Sequence, residues 1–240
     1  MNNQITKSLA QIVNDNHKAA SVFEKYDLDF CCKGKRSLQE ACIEKALPVE
    51  KLLSELQAVN DNCEVPVDFQ KMTLTQLADY IVTKHHAYVK AEMPQIFSYL
   101  QKVATKHGDR HPEMRKVFEL FSVIKSEMEE HMDKEELILF PRIEVAEEGA
   151  LAEKTANMNV FYIQHPIQMM EAEHEKAGQL MTEIRELTGN YTPPNDACTT
   201  YRLSFAELRA FESDLHQHVH LENNILFPKA IELERQLLQL

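Results

Sequence analysis

Two nearly identical segments constrain this chain more than any other feature. His131-Met-Asp-Lys-Glu135-Glu-Leu-Ile-Leu-Phe140-Pro141 returns 87 positions later as His218-Val-His-Leu-Glu222-Asn-Asn-Ile-Leu-Phe227-Pro228. Both copies read His-x3-Glu-x2-Ile-Leu-Phe-Pro. Residues four apart lie one turn apart on the same face of a helix, so each copy aims one imidazole and one carboxylate in the same direction. The Ile-Leu-Phe tail continues the buried side. The Pro is expected to disturb or end the helix, because it has no N–H and its ring clashes with the preceding turn. Two such helices facing each other bring two His and two Glu together inside a bundle, which is the start of a metal site.

The remaining sequence is helical in character. Only 5 Gly and no Trp occur in 240 residues, and Leu, Glu, Lys and Ala are abundant. In residues 1 to about 60, Leu9, Ile12 and Val13 mark a first short amphipathic helix, and Ala19, Val22 and Phe23 a second. Ser37-Leu-Gln-Glu40 is a capping box that opens a third, and Val49, Leu52, Leu53 and Leu56 form the stripe of a fourth. A unit this small is marginal by itself and must lean on another surface. Residues 60–72 break the pattern and are expected to form a linker. Beyond them, four long amphipathic stretches follow. The first starts near Thr73 or Thr75 and ends near His107-Gly108, with Pro94 as a candidate kink. The second opens at Pro112 and is followed by a polar, Glu-rich turn near 146–154. The third stops at Gly189-Asn190, and the fourth begins near Ala197. The expected fold is all-α: a small helical N-terminal domain over 1–62, then an antiparallel up-down four-helix bundle over 73–240.

Helical rise places a histidine at a similar depth on each of the four helices. His86 lies about 33 Å before Gly108, and His131 about 28 Å after Pro112, at 1.5 Å per residue. His174 and His218 fall at a comparable, looser level. His86 is preferred over His85 because it follows the apolar positions better as an inward neighbour. His86, His131, Glu135, His174, His218 and Glu222 form the candidate ligand set. Six donors exceed the four of a tetrahedral zinc and suit two ions, each with two His and a share of two bridging carboxylates. Imidazole and carboxylate without thiolate favour iron or manganese. Carboxylate-rich di-iron bundles use Glu-x-x-His pairs, so the His-rich His-x3-Glu pattern points to another class. His107, His111, His165, His216 and His220 read as ordinary surface or core residues. His216, His218 and His220 fan out on a helix, so at most one of them faces the site. Glu127 and Glu173 flank the ligands, either lining a path for protons or ions or simply as exposed helix charges.

Cys31-Cys32 sits in a loop before a helix start, with Lys33, Lys35 and Arg36 close by. Positive charge and a helix N-terminus are expected to favour thiolate there. A redox pair, a transient metal ligand and an NO acceptor are the functional readings, against two small buried hydrophobes. Cys42, Cys63 and Cys198 are expected to be structural. The formal charge of −12 disfavours nucleic acid and anionic membrane surfaces as partners. The absence of a signal-like apolar run at the N-terminus, and of any stretch of about 20 apolar residues, points to a cytoplasmic protein with no membrane association.

These motifs together resemble a known family. The bundle, with both His-x3-Glu-x4-Phe-Pro motifs, Met170-Glu-Ala-Glu-His174 and Leu221-Glu-Asn-Asn224, resembles a hemerythrin-like domain. Lys25-Tyr26-Asp27-x-Asp29-Phe30-Cys31-Cys32-x-Gly34-Lys35 resembles the short domain that precedes it in the Repair of Iron Centres family. The resemblance covers nearly the whole chain. It implies a cytoplasmic, stress-induced homodimer that restores iron–sulfur proteins damaged by nitric oxide or peroxide. It also implies two iron ions in an oxo- and carboxylate-bridged centre, held by the six residues above, with NO or O2 as small ligands. Cys31 and Cys32 match the family's paired cysteines, with a role in redox or iron transfer. Lys33 stands where the family often has Gly, and Ala87 where relatives can carry Asp; neither change removes a ligand. His107 matches a family His but lies near a helix end, outside the ligand set. An NO-reducing di-iron enzyme and an O2- or NO-binding sensor are the alternative functions, and both need the same site.

Overall fold

In a computed structural model, residues 4–61, 67–151 and 163–238 are described. Cys63 and the other residues of 62–66 in the linker expected over 60–72, and residues 152–154 of the expected turn, lie outside them. The described residues are helical, with one isolated bridge between Ser8 and Ser37. The first four helices are α1 (Leu9–Asp15), α2 (Ala19–Lys25), α3 (Leu38–Glu44) and α4 (Val49–Asp61). Two capping boxes stand back to back at that bridge. Ser8 with Gln11 caps α1, and Ser37 with Glu40 caps α3. The backbones there are joined by Leu9 N–H to Arg36 O at 2.9 Å and Leu38 N–H to Lys7 O at 3.0 Å. Each box satisfies two amide groups that a helix start leaves orphaned.

Gly34 closes this unit. Its carbonyl accepts Ala10 N–H at 2.9 Å. A Cβ there would stand 2.2 Å from Phe30 O and 2.9 Å from the Ala10 Cβ. Gly34→Ala is therefore expected to cost roughly 2–3 kcal/mol, the overpacking scale of a tight interior. A denaturation midpoint within experimental error of the parent's would contradict this packing.

A short 3-10 turn (Phe69–Lys71) leads into the bundle. Its helices are α5 (Leu74–Ile81), α6 (Ala87–His107), α7 (Glu113–Lys134), α8 (Phe140–Leu151), α9 (Gln164–Leu187), α10 (Thr199–Leu221) and α11 (Phe227–Leu238). Thr73 caps α5 through a capping box with Gln76. Three π turns join these pieces end to end: Val82–His86, Glu135–Leu139 and Glu222–Leu226. Four long rods result: α5–α6, α7–α8, α9 and α10–α11. The α6 segment packs on α7 and α10, and α7 on α9.

The two repeat prolines do not end their helices. Pro141 and Pro228 are each the second residue of a further helix, α8 and α11. The π turn just before each Pro widens the helix by one residue, which relieves the clash of the ring with the turn behind it. The Glu-rich stretch also departs from expectation, since α8 runs on to Leu151 and residues 146–151 are helix, not turn. Pro94 sits within α6, which runs through it unbroken.

The apolar interior falls into two clusters. One joins the N-terminal unit (Leu9, Phe23, Phe30, Leu38) to the α6–α7–α9–α10 end of the bundle (Val89, Phe121, Met181, Phe211). The other fills the opposite end, with Leu77, Ile81, Ile143, Ile167 and Phe227. The small unit thus buries its apolar face against the bundle. The level between the two clusters is where the rods carry their buried polar residues.

Candidate metal centre

The six candidate residues meet at that level. His86 closes the first π turn, and Glu135 and Glu222 open the other two. His131, His174 and His218 lie in α7, α9 and α10. All six are at most 2% exposed. They form two donor groups, His86–Glu135–His218–Glu222 and His131–Glu135–His174–Glu222, which share both carboxylates. The Nε2 atoms of His86 and His218 are 3.1 Å apart, and those of His131 and His174 are 2.9 Å apart. One Glu135 oxygen lies 3.4 Å from His86 Nε2 and 3.3 Å from His131 Nε2. Glu222 reaches His218 Nε2 at 3.0 Å and His174 Nε2 at 3.2 Å.

Around this ring, other side chains fix the imidazoles. His86 Nδ1 is 2.7 Å from Glu136 Oε1, His131 Nδ1 2.9 Å from Glu173 Oε2, and His174 Nδ1 2.9 Å from Asn223 Oδ1. Each of these oxygens accepts only, so each Nδ1 is the donor and each Nε2 presents a lone pair inward. Facing lone pairs about 3 Å apart require positive charge between them. Among the described residues, neither oxygen of Glu135 has a hydrogen-bond partner, although both are buried. Buried carboxylates without partners are held by cations. The donor chemistry and these orphaned oxygens therefore fit metal ions.

The electrostatics agree. Burial by itself lowers the pKa of His131, but the charge of the adjacent Glu135 carboxylate and the hydrogen bond to Glu173 outweigh it and raise it to about 10. Burial is likewise overcome at His86, which Glu135, Glu222 and Glu136 raise. Burial pushes Glu222 upward, yet His218 and His174 bring it well below the usual carboxylate range. The hydrogen bond from His131, with help from Lys134, holds Glu173 down at about 2.

Of the two flanking acids, Glu173 serves the site, whereas Glu127 pairs with Lys176 on the surface. Sequence reading missed Glu136 and Asn223. They occupy the same place in the two repeats, one residue after the Glu common to both donor groups. The π turn lets consecutive residues face the neighbouring rod together, so that Glu135 points to the ring and Glu136 to His86. His85, not among the donors, stacks on His218 with centroids 5.6 Å apart. Among the described residues, His107, His111, His165, His216 and His220 stand outside both donor groups.

Cys31 and Cys32 are not among the six. They line a cleft of about 550 Å³ whose wall includes Asn223, the partner of His174. Their sulfurs are 3.9 Å apart, and Asp29 Oδ1 accepts from Cys31 N–H at 3.1 Å, Cys32 N–H at 2.9 Å, Lys33 N–H at 3.2 Å and Cys31 Sγ at 3.3 Å. The expected thiolate is not favoured at Cys31: the hydrogen bond to Cys32, burial and the Asp29 charge push its thiol well up. Lys33 and Lys35 are exposed at the wall of the same cleft, and Arg36 pairs with Glu44. Cys42 is buried as expected of a structural residue, but Cys198 is exposed.

The loop is tied to the centre's own helix. Asn224, two residues past Glu222, donates to Cys31 O at 2.9 Å, and His220 meets Asn14 Oδ1 at 2.9 Å. Asn224→Ala is expected to cost about 1 kcal/mol and to raise amide exchange in the cysteine loop. Unchanged exchange at Cys31 and Cys32 would show that this tie does not order the loop.

Residues 77–230 match the family model described as the Hemerythrin HHE cation binding domain, and residues 5–60 match a Domain of Unknown function (DUF542). The iron-sulfur cluster repair protein YtfE of Yersinia pseudotuberculosis serotype O:1b (strain IP 31758) is 35% identical over 217 residues, covering 90% of this chain and 93% of that protein. The protein of the same name from Enterobacter sp. (strain 638) is 33% identical over 223 residues, covering 93% and 96%. This chain belongs to the Repair of Iron Centres family. Its bundle is thus a cation-binding domain of the hemerythrin kind, and the buried His/Glu ring lies within the matched residues. The family's all-α fold is what the structure has. Among the described residues, no helix is long and apolar enough to cross a membrane.

Proposed function

We propose that this chain restores iron–sulfur clusters damaged by nitrosative or oxidative stress, by supplying iron from a labile two-iron centre. His86 and His218 would hold one ion and His131 and His174 the other, with Glu135 and Glu222 available to both. The observation that carries the reading is the pair of buried donor groups with both carboxylates in common. Charge supports it: Glu135 and Glu222 bring two buried negative charges to the place of the ions, while Glu136 and Glu173 are already paired with Lys90 and Lys134. When bound, the ions supply exchangeable iron to a cluster that has lost it, with NO or O2 as possible small ligands of the same centre.

The chain's own residues set the terms of that exchange. The acceptors on Nδ1 keep the Nε2 lone pairs aimed inward. Apolar clusters above and below keep bulk water away. Cys31 and Cys32, on the wall of the cleft that reaches Asn223, are placed to assist iron transfer or redox. The small unit over 1–62 serves as the cysteine-bearing domain and 73–240 as the iron-bearing one. The chain's place among the repair proteins supports reading it as a cytoplasmic homodimer.

The test is repair itself. Iron-loaded protein, incubated anaerobically with a dehydratase whose cluster NO has damaged, is expected to restore its activity, and the His131→Ala and His218→Ala proteins are expected to fail. Equal repair by the parent and both variants would sink the proposal.

A further inference from the structure

The centre has an internal twofold correspondence. The rods carrying His86 and His131 match those carrying His174 and His218, with spacings of 45 and 44 residues. The surroundings match in detail. Phe140 stacks on His86 at 5.9 Å, and Phe227 on His174 at 6.0 Å. Glu136 takes the Nδ1 proton of His86, and Asn223 that of His174. The ring pairs His86–His218 and His131–His174 have centroids 4.8 and 4.7 Å apart and are inclined at 60° and 61°.

The correspondence breaks at one position. Glu173, just before His174, takes the Nδ1 proton of His131 at 2.9 Å. Its counterpart just before His86 is His85, which lies nearly flat on the His218 ring, at 9°. The His85 Nδ1 is held by Asp214 Oδ1 at 3.0 Å instead. His218 Nδ1 is buried and has no hydrogen-bond partner among the described residues.

We propose that the two ion positions are unequal, and that the ion between His86 and His218 is released first. This rests on the two-ion reading above. An acceptor on the outer nitrogen fixes the tautomer, orients the ring and strengthens the inner nitrogen as a donor. Losing such a partner lowers metal affinity by about 10–100-fold. Both imidazoles of the His131–His174 position have that support, whereas only one of the His86–His218 position does. His85 is a positioning residue: its stacking holds the His218 ring plane, but it lends the ring no acceptor. The ion leaves as Fe(II) to whatever takes it up, with no change in oxidation state.

Crystals of the full chain loaded with iron(II) are exposed anaerobically to a ferrous chelator for graded times, and iron anomalous density is measured at both positions. Density between His86 and His218 is expected to fade first. In solution, release is expected in two phases of one ion each, at least about tenfold apart in rate. Equal loss, or earlier loss between His131 and His174, overturns the inference while leaving the two-ion reading intact. One ion or none in untreated crystals overturns that reading, and the inference with it. Two variants test the cause. His85→Glu, which offers His218 an acceptor, is expected to slow the fast phase about tenfold and leave the slow one unchanged. Glu173→Ala is expected to speed the slow phase about tenfold, because the two positions become alike. A slow phase unmoved in Glu173→Ala overturns the assignment even if His85→Glu does not fold.

Discussion

Glu222→Gln is expected to reduce iron from two per chain to less than one, with the helical fold retained. Glu222 belongs to both donor groups. Its oxygens approach three of the four imidazoles, His218 at 3.0 Å, His174 at 3.2 Å and His86 at 4.0 Å. The amide keeps the shape but loses the charge, which leaves the ions one negative charge short in a dry interior. Breaking a buried charge pair by removing one partner costs about 3–5 kcal/mol, or roughly two to three orders of magnitude in affinity. Circular dichroism should match the parent, because the two apolar clusters do not involve this residue. Two irons retained after gel filtration would show that Glu222 does not bridge them.

The second large effect concerns the metal-free protein in alkali. His131 has its pKa raised to about 10 in the folded chain, from an ordinary value of 6.5. A raised value means that the folded state holds the proton more tightly than the unfolded one. The stabilisation is complete below pH 6.5 and is lost as pH rises through about 10. At about 1.4 kcal/mol per unit, the loss is on the order of a few kcal/mol, or roughly 10 °C in Tm for a chain of this size. In the iron-loaded protein the ion occupies the place of that proton, so its stability should not fall in this window. Thermal melts of both forms at pH 6, 8 and 10 measure the difference, and the titration of surface groups cancels between them. Parallel curves for the two forms would mean that His131 does not exchange a proton for metal.

Much of the architecture was legible because the apolar positions recur at helical spacing through long segments. The repeat also indicated which side chains would share a level, and the structure brings His86, His131, Glu135, His174, His218 and Glu222 together there. Other features left little mark on periodicity. A π turn adds one residue to a helix and shifts its apolar spacing by a single position, so Pro141 and Pro228 read as places where the helix is disturbed or ends, whereas it is widened just before them and continues. Nothing in the spacing singles out Glu136 and Asn223, because their partners, His86 and His174, are on other rods. The thiol of Cys31 was misjudged because nearness in sequence to Lys33 and Lys35 says nothing of direction. Those lysines are exposed and make no hydrogen bond to the sulfur among the described residues, while Asp29 accepts from it. Apolar spacing favours His86 over His85 as the inward residue, but only the stack on His218 shows what His85 does beside the ring.

The most direct measurement is the metal content of the full chain purified from iron-replete cells, with its absorption spectrum and that of Glu222→Gln. Two irons per chain, with near-ultraviolet bands of an oxo-bridged pair that vanish in the variant, is the expected result. Zinc, a single iron or no metal would contradict the two-iron centre and leave a helical bundle whose buried His/Glu ring serves another purpose.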